Sequence, residues 1–165
     1  MTGQGESMVG RGIDHNRITK TGKRRVLVVE DDDRIRELIA MLMRSEGFET
    51  VELADGLEAL KYVAASEVYH GDVKRCDLVI ADIHMPSYSG LDLLMGMRES
   101  QRRPPVMLVT GIKDEEIHRE ARRLGAQRVI TKPFDVETFL RAVDDCLSAP
   151  VMAPVVESHI VMPEC

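Results

Sequence analysis

Five times between Arg25 and Ser148, a short apolar run gives way to a longer amphipathic segment, and this alternation leaves few architectures open to the chain. The first run, Val26-Leu27-Val28-Val29, contains no polar residue and stops at Glu30-Asp31-Asp32-Asp33. A strand with one wet face alternates apolar and polar residues, so an unbroken run predicts a strand buried on both faces. Ile35, Leu38, Ile39, Leu42 and Met43 then recur at helical spacing as far as Gly47, a residue suited to the left-handed stop of a helix. The same reading predicts further strands at 50–53, 77–81, 106–109 and 128–131 and helices at 57–65, 91–99 and 114–124. A last helix carries Val136, Phe139, Leu140, Val143 and Leu147 on one face. Strands separated by helices of this length must be joined by right-handed crossovers, which predicts an α/β fold: a doubly wound five-stranded parallel sheet with helices on both faces. The polar stretch 66–75 reads as a surface loop.

The rest of the composition fits one such domain. With 165 residues, 44% hydrophobic and 30% charged, the chain can bury one full core and little more. Residues 1–24, rich in Gly, Ser, Thr and basic side chains, read as a disordered arm, and 149–165, with Pro150, Pro154 and Pro163, as an extended or disordered tail. A net charge of −6 gives no broad attraction for nucleic acid or an anionic membrane. The three cysteines, Cys76, Cys146 and Cys165, are odd in number and lack Cys-x-x-Cys spacing, so neither a disulfide framework nor a zinc site is expected. No run suits a signal peptide or a membrane span, and the expected location is the cytoplasm.

In open parallel sheets, ligands bind beyond the carboxyl ends of the strands, where strand order reverses. The predicted ends carry Glu30 and Asp31, Asp82, Thr110 and Lys132. Three carboxylates brought together repel unless a cation neutralises them, and Mg²⁺ takes oxygen ligands of this kind. Glu30 and Asp31 can offer carboxylates directly or through water, while Asp82 shares one oxygen and keeps the other as a nucleophile. Phosphoryl transfer needs in-line positioning and neutralised equatorial oxygens more than it needs a base. The Lys132 ammonium, the Thr110 hydroxyl and nearby backbone N–H groups can supply that neutralisation. The expected product is a labile acyl phosphate on Asp82.

The motifs VLVVEDD with Arg36 after it, DLVIADIHMPSYSG, PVMLVTG and VITKPF, in that order from about Arg25 to Ser148, resemble the receiver domains of bacterial two-component response regulators, of the stand-alone type. The resemblance implies a flavodoxin-like sheet in order 2-1-3-4-5. It implies that Asp82 takes phosphate from a histidine kinase or phosphotransfer protein, with Mg²⁺ bound by Asp31, Asp82 and the backbone carbonyl of His84. Glu30 stands in the outer acidic position, Thr110 and Lys132 sense the phosphate, and the Lys132–Pro133 peptide is cis. Such a chain is a phosphoacceptor switch rather than an enzyme: it assists its own phosphorylation and dephosphorylation. Its phosphorylated surface, the fourth helix, fifth strand and fifth helix, addresses a downstream protein and touches neither nucleic acid nor membrane. Val129 departs from the family, which often carries Tyr or Phe three residues before the lysine. Either another side chain reports phosphorylation, or the change falls on the loop after the fourth strand and on the fourth helix. His84 and Ile112, which flank the pocket, are candidates for tuning phosphate lifetime.

Two other functions compete. Asp31-Asp32-Asp33 can be read as the D-x-D of a haloacid-dehalogenase-type phosphatase with Asp31 as nucleophile, although Arg34 and Ile35 follow where small residues belong. A phosphorylation-independent adaptor would keep the fold without the switch, but none of the acids, the threonine or the lysine is missing. Among residues with blander readings, Asp32 and Asp33 suit helix capping. His15, His70, His118 and His159 lack metal-ligand spacing and read as surface residues, and the ten methionines read mainly as core fillers.

Overall fold

The computed structural model describes residues 22–68, 75–98, 100 and 103–150. Most of the expected arm and tail lies outside these residues, as does the middle of the expected 66–75 loop. The elements are β1 (Arg25–Val29), α1 (Asp33–Ser45), β2 (Glu49–Leu53), α2 (Gly56–Val68), β3 (Leu78–Asp82), α3 (Gly90–Gly96), β4 (Val106–Thr110), α4 (Glu115–Arg123), β5 (Arg128–Thr131) and α5 (Val136–Ser148). The strands form one sheet in the order β2-β1-β3-β4-β5, and every pairing is parallel.

Successive side chains of a strand point to opposite faces, so the apolar runs feed two cores. Leu27, Val29, Val79, Ala81 and Leu108 pack with Ala59, Val63, Leu93, Leu94 and Ala121 of α2, α3 and α4. Val26, Val28, Leu78, Ile80, Met107 and Val109 pack with Ile39, Met43, Phe139 and Val143 of α1 and α5. Every residue of β3 and β4 is buried, which explains why their sequences show no alternation. From β1 the chain crosses to β2 on one side and then returns to β3 on the other, which puts the reversal of strand order between β1 and β3. The carboxyl ends of those two strands open a crevice there.

Short polar residues fix where the helices begin. Asp32, Ser89, Asp114 and Asp135 are the N-caps of α1, α3, α4 and α5, each accepting backbone N–H groups of the first turn. Gly47 and Gly125 follow α1 and α4 with φ of 85° and 95°, the left-handed turn that glycine adopts without strain. Two ends differ from the sequence expectation. Helix α2 runs on to Val68, because the hydroxyl of buried Ser66 donates to the Val63 carbonyl at 2.7 Å and so needs no solvent. Helix α3 closes earlier, at Gly96, a poor helix former, and Met97 turns into the core. Cys76 and Cys146 are buried, and burial pushes both thiols up to about 12, which keeps them protonated and unreactive.

Phe139 is fully buried and stacks on Phe134 with ring centroids 4.9 Å apart. Phe139→Ala should lower unfolding free energy by about 3–5 kcal/mol, the usual cost of emptying such a site. Urea denaturation should show an earlier midpoint at unchanged slope.

Candidate functional site

Parallel register brings the strand ends level. Val29 pairs with Ala81, Asp82 with Val109 and Thr110 with Thr131. The ladder continues past the strands through Ile83 N–H to the Val109 carbonyl (2.8 Å) and Lys132 N–H to the Thr110 carbonyl (2.7 Å). Glu30 directly after β1, Asp82 ending β3, Thr110 ending β4 and Lys132 directly after β5 therefore share one rim.

On that rim the carboxylate oxygens of Glu30, Asp31 and Asp82 lie within 4.8 Å of one another. Glu30 and Asp82 are buried, and Asp31 is exposed. The Lys132 ammonium is 2.8 Å from Glu30 Oε2 and 3.6 Å from Asp82 Oδ2. Burial pushes the Glu30 carboxyl above its ordinary pKa; the hydrogen bond from Lys132 opposes this and the neighbouring Asp82 charge reinforces it. Burial alone would depress the Lys132 ammonium, but its hydrogen bond to Glu30 and the charges of Asp82 and Glu30 outweigh that and raise it. Both partners of one ion pair thus shift upward, because burial prevails on the deeper Glu30 and the ion pair prevails on the more open Lys132.

One ammonium against three carboxylates leaves the cluster net negative. Asp82 Oδ1 is buried and, among the described residues, accepts no hydrogen bond. A buried carboxylate oxygen without a donor is costly, and a hard divalent cation bound to it would remove that cost. The donor set of three carboxylates at one edge therefore fits an oxygen-seeking metal.

The run of four acids divides its labour. Glu30 turns inward and Asp31 stays on the rim. Asp32 caps α1 by accepting from Arg34 N–H (2.9 Å) and Ile35 N–H (3.2 Å), as expected. Asp33 is 86% exposed and paired with Arg36. An Asp31-x-Asp33 phosphatase pairing thereby loses its second acid to solvent and an arginine. Arg36 also donates from Nη1 to the Glu30 carbonyl at 2.7 Å and so ties α1 to the end of β1.

Thr110 is fully buried, and its Oγ1 accepts from Ile112 N–H at 3.1 Å and lies 3.4 Å from Nδ1 of the exposed His84 ring. The sequence marked both residues but not this contact, which joins the loop after β3 to the end of β4. The Lys132–Pro133 peptide is cis. Val129 is half-buried and packs on the core beneath α4. His118, expected at the surface, is instead half-buried on α4 with Nε2 3.4 Å from Thr131 Oγ1, a contact that its spacing from other histidines could not signal. His15, His70 and His159 lie outside the described residues.

The sequence model of the response regulator receiver domain family matches residues 26–144. The regulatory protein AtoC of Escherichia coli is 36% identical over 117 residues, which cover 71% of this chain and 24% of that protein. The transcriptional regulatory protein PdtaR of Mycobacterium tuberculosis is 32% identical over 126 residues, covering 76% of this chain and 57% of that protein. Sporulation initiation phosphotransferase F of Bacillus subtilis is 30% identical over 119 residues, covering 72% of this chain and 90% of that protein. The chain thus spans about a quarter and just over half of the first two relatives and nearly all of the third. Among solved structures, the Vibrio cholerae chemotaxis protein CheY4 superposes with a TM-score of 0.64 at 28% identity, covering 76% of this chain and 100% of that one. Among the described residues, no helix is long and apolar enough to cross a membrane.

A raised amine pKa stabilises the fold at pH below its unfolded value, and that contribution is lost as pH climbs through the folded value. For Lys132 this loss falls above the ordinary 10.5. Glu30→Gln removes a charged acceptor of the ammonium, so the variant should begin losing stability at lower alkaline pH than the wild type. Denaturant melts at stepped pH, with the ¹³C shift of Lys132 Cε followed in parallel, check this, and an unmoved titration would show that Glu30 does not hold the ammonium.

Proposed function

Because the chain belongs to the response regulator receiver domain family, whose members work in phosphorelay signalling, we propose that Asp82 accepts a phosphoryl group from a phosphohistidine of a histidine kinase or phosphotransfer protein. The observation that carries this reading is the asymmetry of the Asp82 carboxylate: Oδ2 faces the Lys132 ammonium, and Oδ1 is buried without a donor. Asp31, Asp82 and the His84 backbone carbonyl are the residues that would hold Mg²⁺, with Glu30 beyond them. When bound, the ion would neutralise carboxylate and phosphoryl oxygens.

The chain's own groups do the rest. A carboxylate oxygen of Asp82 attacks phosphorus, the P–N bond to the donor imidazole breaks, and its electron pair leaves with that ring. Lys132 then exchanges part of its bond with Glu30 for a phosphoryl oxygen. The Thr110 oxygen already accepts from Ile112 N–H, so its single proton is available to turn to the phosphoryl group. Hydrolysis breaks the new P–O bond and returns the carboxylate. His84 and Ile112, beside that hydroxyl, govern how long the acyl phosphate lasts. The output is a protein-binding face on α4, β5 and α5, and the cytoplasm is where the donor and target meet it.

Treatment with acetyl phosphate and Mg²⁺, followed by peptide mapping, should place the label on Asp82, and Asp82→Asn should take up none. Lys132→Ala should slow incorporation on the order of a hundredfold, the scale for losing one preorganised electrostatic contact. Label on Asp31 would instead support a haloacid-dehalogenase-type phosphatase. Absence of label, together with amide exchange in α4 that beryllofluoride leaves unchanged, would support an adaptor.

A further inference from the structure

The loop between β3 and α3, residues 83–89, carries His84, and its ends are closed by the Gly90 N–H bond to the Ile83 carbonyl at 3.1 Å. The Ser89–Asp92 capping box fixes the start of α3, and Met85 is buried in the core. Tyr88 provides a further anchor. It sits between Gly56, the first residue of α2, and Gly96, the last of α3. A Cβ built on Gly56 would lie 2.5 Å from the Tyr88 carbonyl oxygen and 3.1 Å from its ring Cδ1. A Cβ on Gly96 would lie 2.7 Å from Leu60 Cδ2 and 3.3 Å from the Tyr88 hydroxyl.

Neither glycine has positive φ, so backbone conformation does not require it. Alanine is the better helix former at both places, which leaves close approach as the reason for glycine. The two contacts differ in kind. At Gly96 the nearest atoms end flexible side chains, which can swing aside. At Gly56 the nearest atom is backbone, so any side chain must push the loop itself. Gly56 cannot yield instead, because Asp55 caps that turn by accepting from Leu57 N–H at 2.7 Å.

We infer that Gly56 and Tyr88 are positioning residues for the metal: the bare first turn of α2 and the Tyr88 seat set the course of the β3–α3 loop, and thereby the His84 carbonyl offered beside Asp31 and Asp82. This rests on the metal reading given above. A tyrosine that merely filled space would lower stability when disturbed and leave cation affinity alone.

Mg²⁺ titration calorimetry on the full chain, paired with thermal melts in EDTA, separates the two. Gly56→Ala should weaken Mg²⁺ on the order of tenfold, the scale seen when groups that support a ligand are displaced. Gly96→Ala and Tyr88→Phe should bind as the wild type does, and Tyr88→Ala should weaken binding even if Gly56→Ala does not fold. Asp31→Asn, which removes a ligand outright, should bind none. Wild-type affinity in both Gly56→Ala and Tyr88→Ala, with binding lost in Asp31→Asn, overturns the inference and spares the metal reading. Equal weakening by Gly56→Ala and Gly96→Ala also overturns it, in favour of general loosening. A wild type that takes up no Mg²⁺ overturns the metal reading and this inference with it.

Discussion

The ion pair of Lys132 with Glu30 joins the ends of β1 and β5 across 102 residues of sequence, and the order of the rim depends on it. Glu30 is nearly inaccessible, and its second oxygen accepts from Asp32 N–H at 3.3 Å, so one carboxylate holds both the lysine and the turn into α1. Burying such a charge is unfavourable in itself, and losing its partner typically costs about 3–5 kcal/mol. The cluster is therefore held together by mutual need. It keeps Lys132 close to Asp82 while one Asp82 oxygen, among the described residues, accepts no hydrogen bond.

Rigid and adjustable parts of the site have different origins. Asp82 and Thr110 belong to strands buried on both faces, whose positions are set by the ladder and by two cores. Asp31 and His84 belong to loops, which need other constraints. Helix caps supply them: Asp32 fixes the turn after β1, and the Ser89–Asp92 pair fixes the far end of the loop after β3. At Gly90 a Cβ would lie 2.5 Å from the Asp82 carbonyl, so α3 can begin directly against the strand end only because no side chain is there.

The alternation of apolar runs with amphipathic segments made the sheet, its parallel sense and the residues at its rim legible, because burial on both faces erases polar residues from a strand. Asp32 as a cap was legible too, since short acids before a helical run have few other uses. Less could be read where a polar residue satisfies itself locally, as Ser66 does inside α2, or where a helix is ended by a single glycine, as α3 is at Gly96. Contacts between segments far apart in the chain left no trace: neither the His84 approach to Thr110 nor the Tyr88 seat on Gly56 has a periodicity to betray it.

Val129, three residues before Lys132, puts a small half-buried side chain on the core beneath α4. In this chain, Thr110 and Thr131 are register partners on adjacent strands. Alternation puts both on the face that carries Leu108 and Val129, toward α4. Thr110 meets His84 on the side of the site, and Thr131 meets His118 on the side of the helix. A valine has no ring to swing between exposed and buried states, and the contact of His118 with Thr131 is a polar one that ties α4 to β5. The two contacts therefore sit level with each other on neighbouring strands, placed by the same register that aligns the rim.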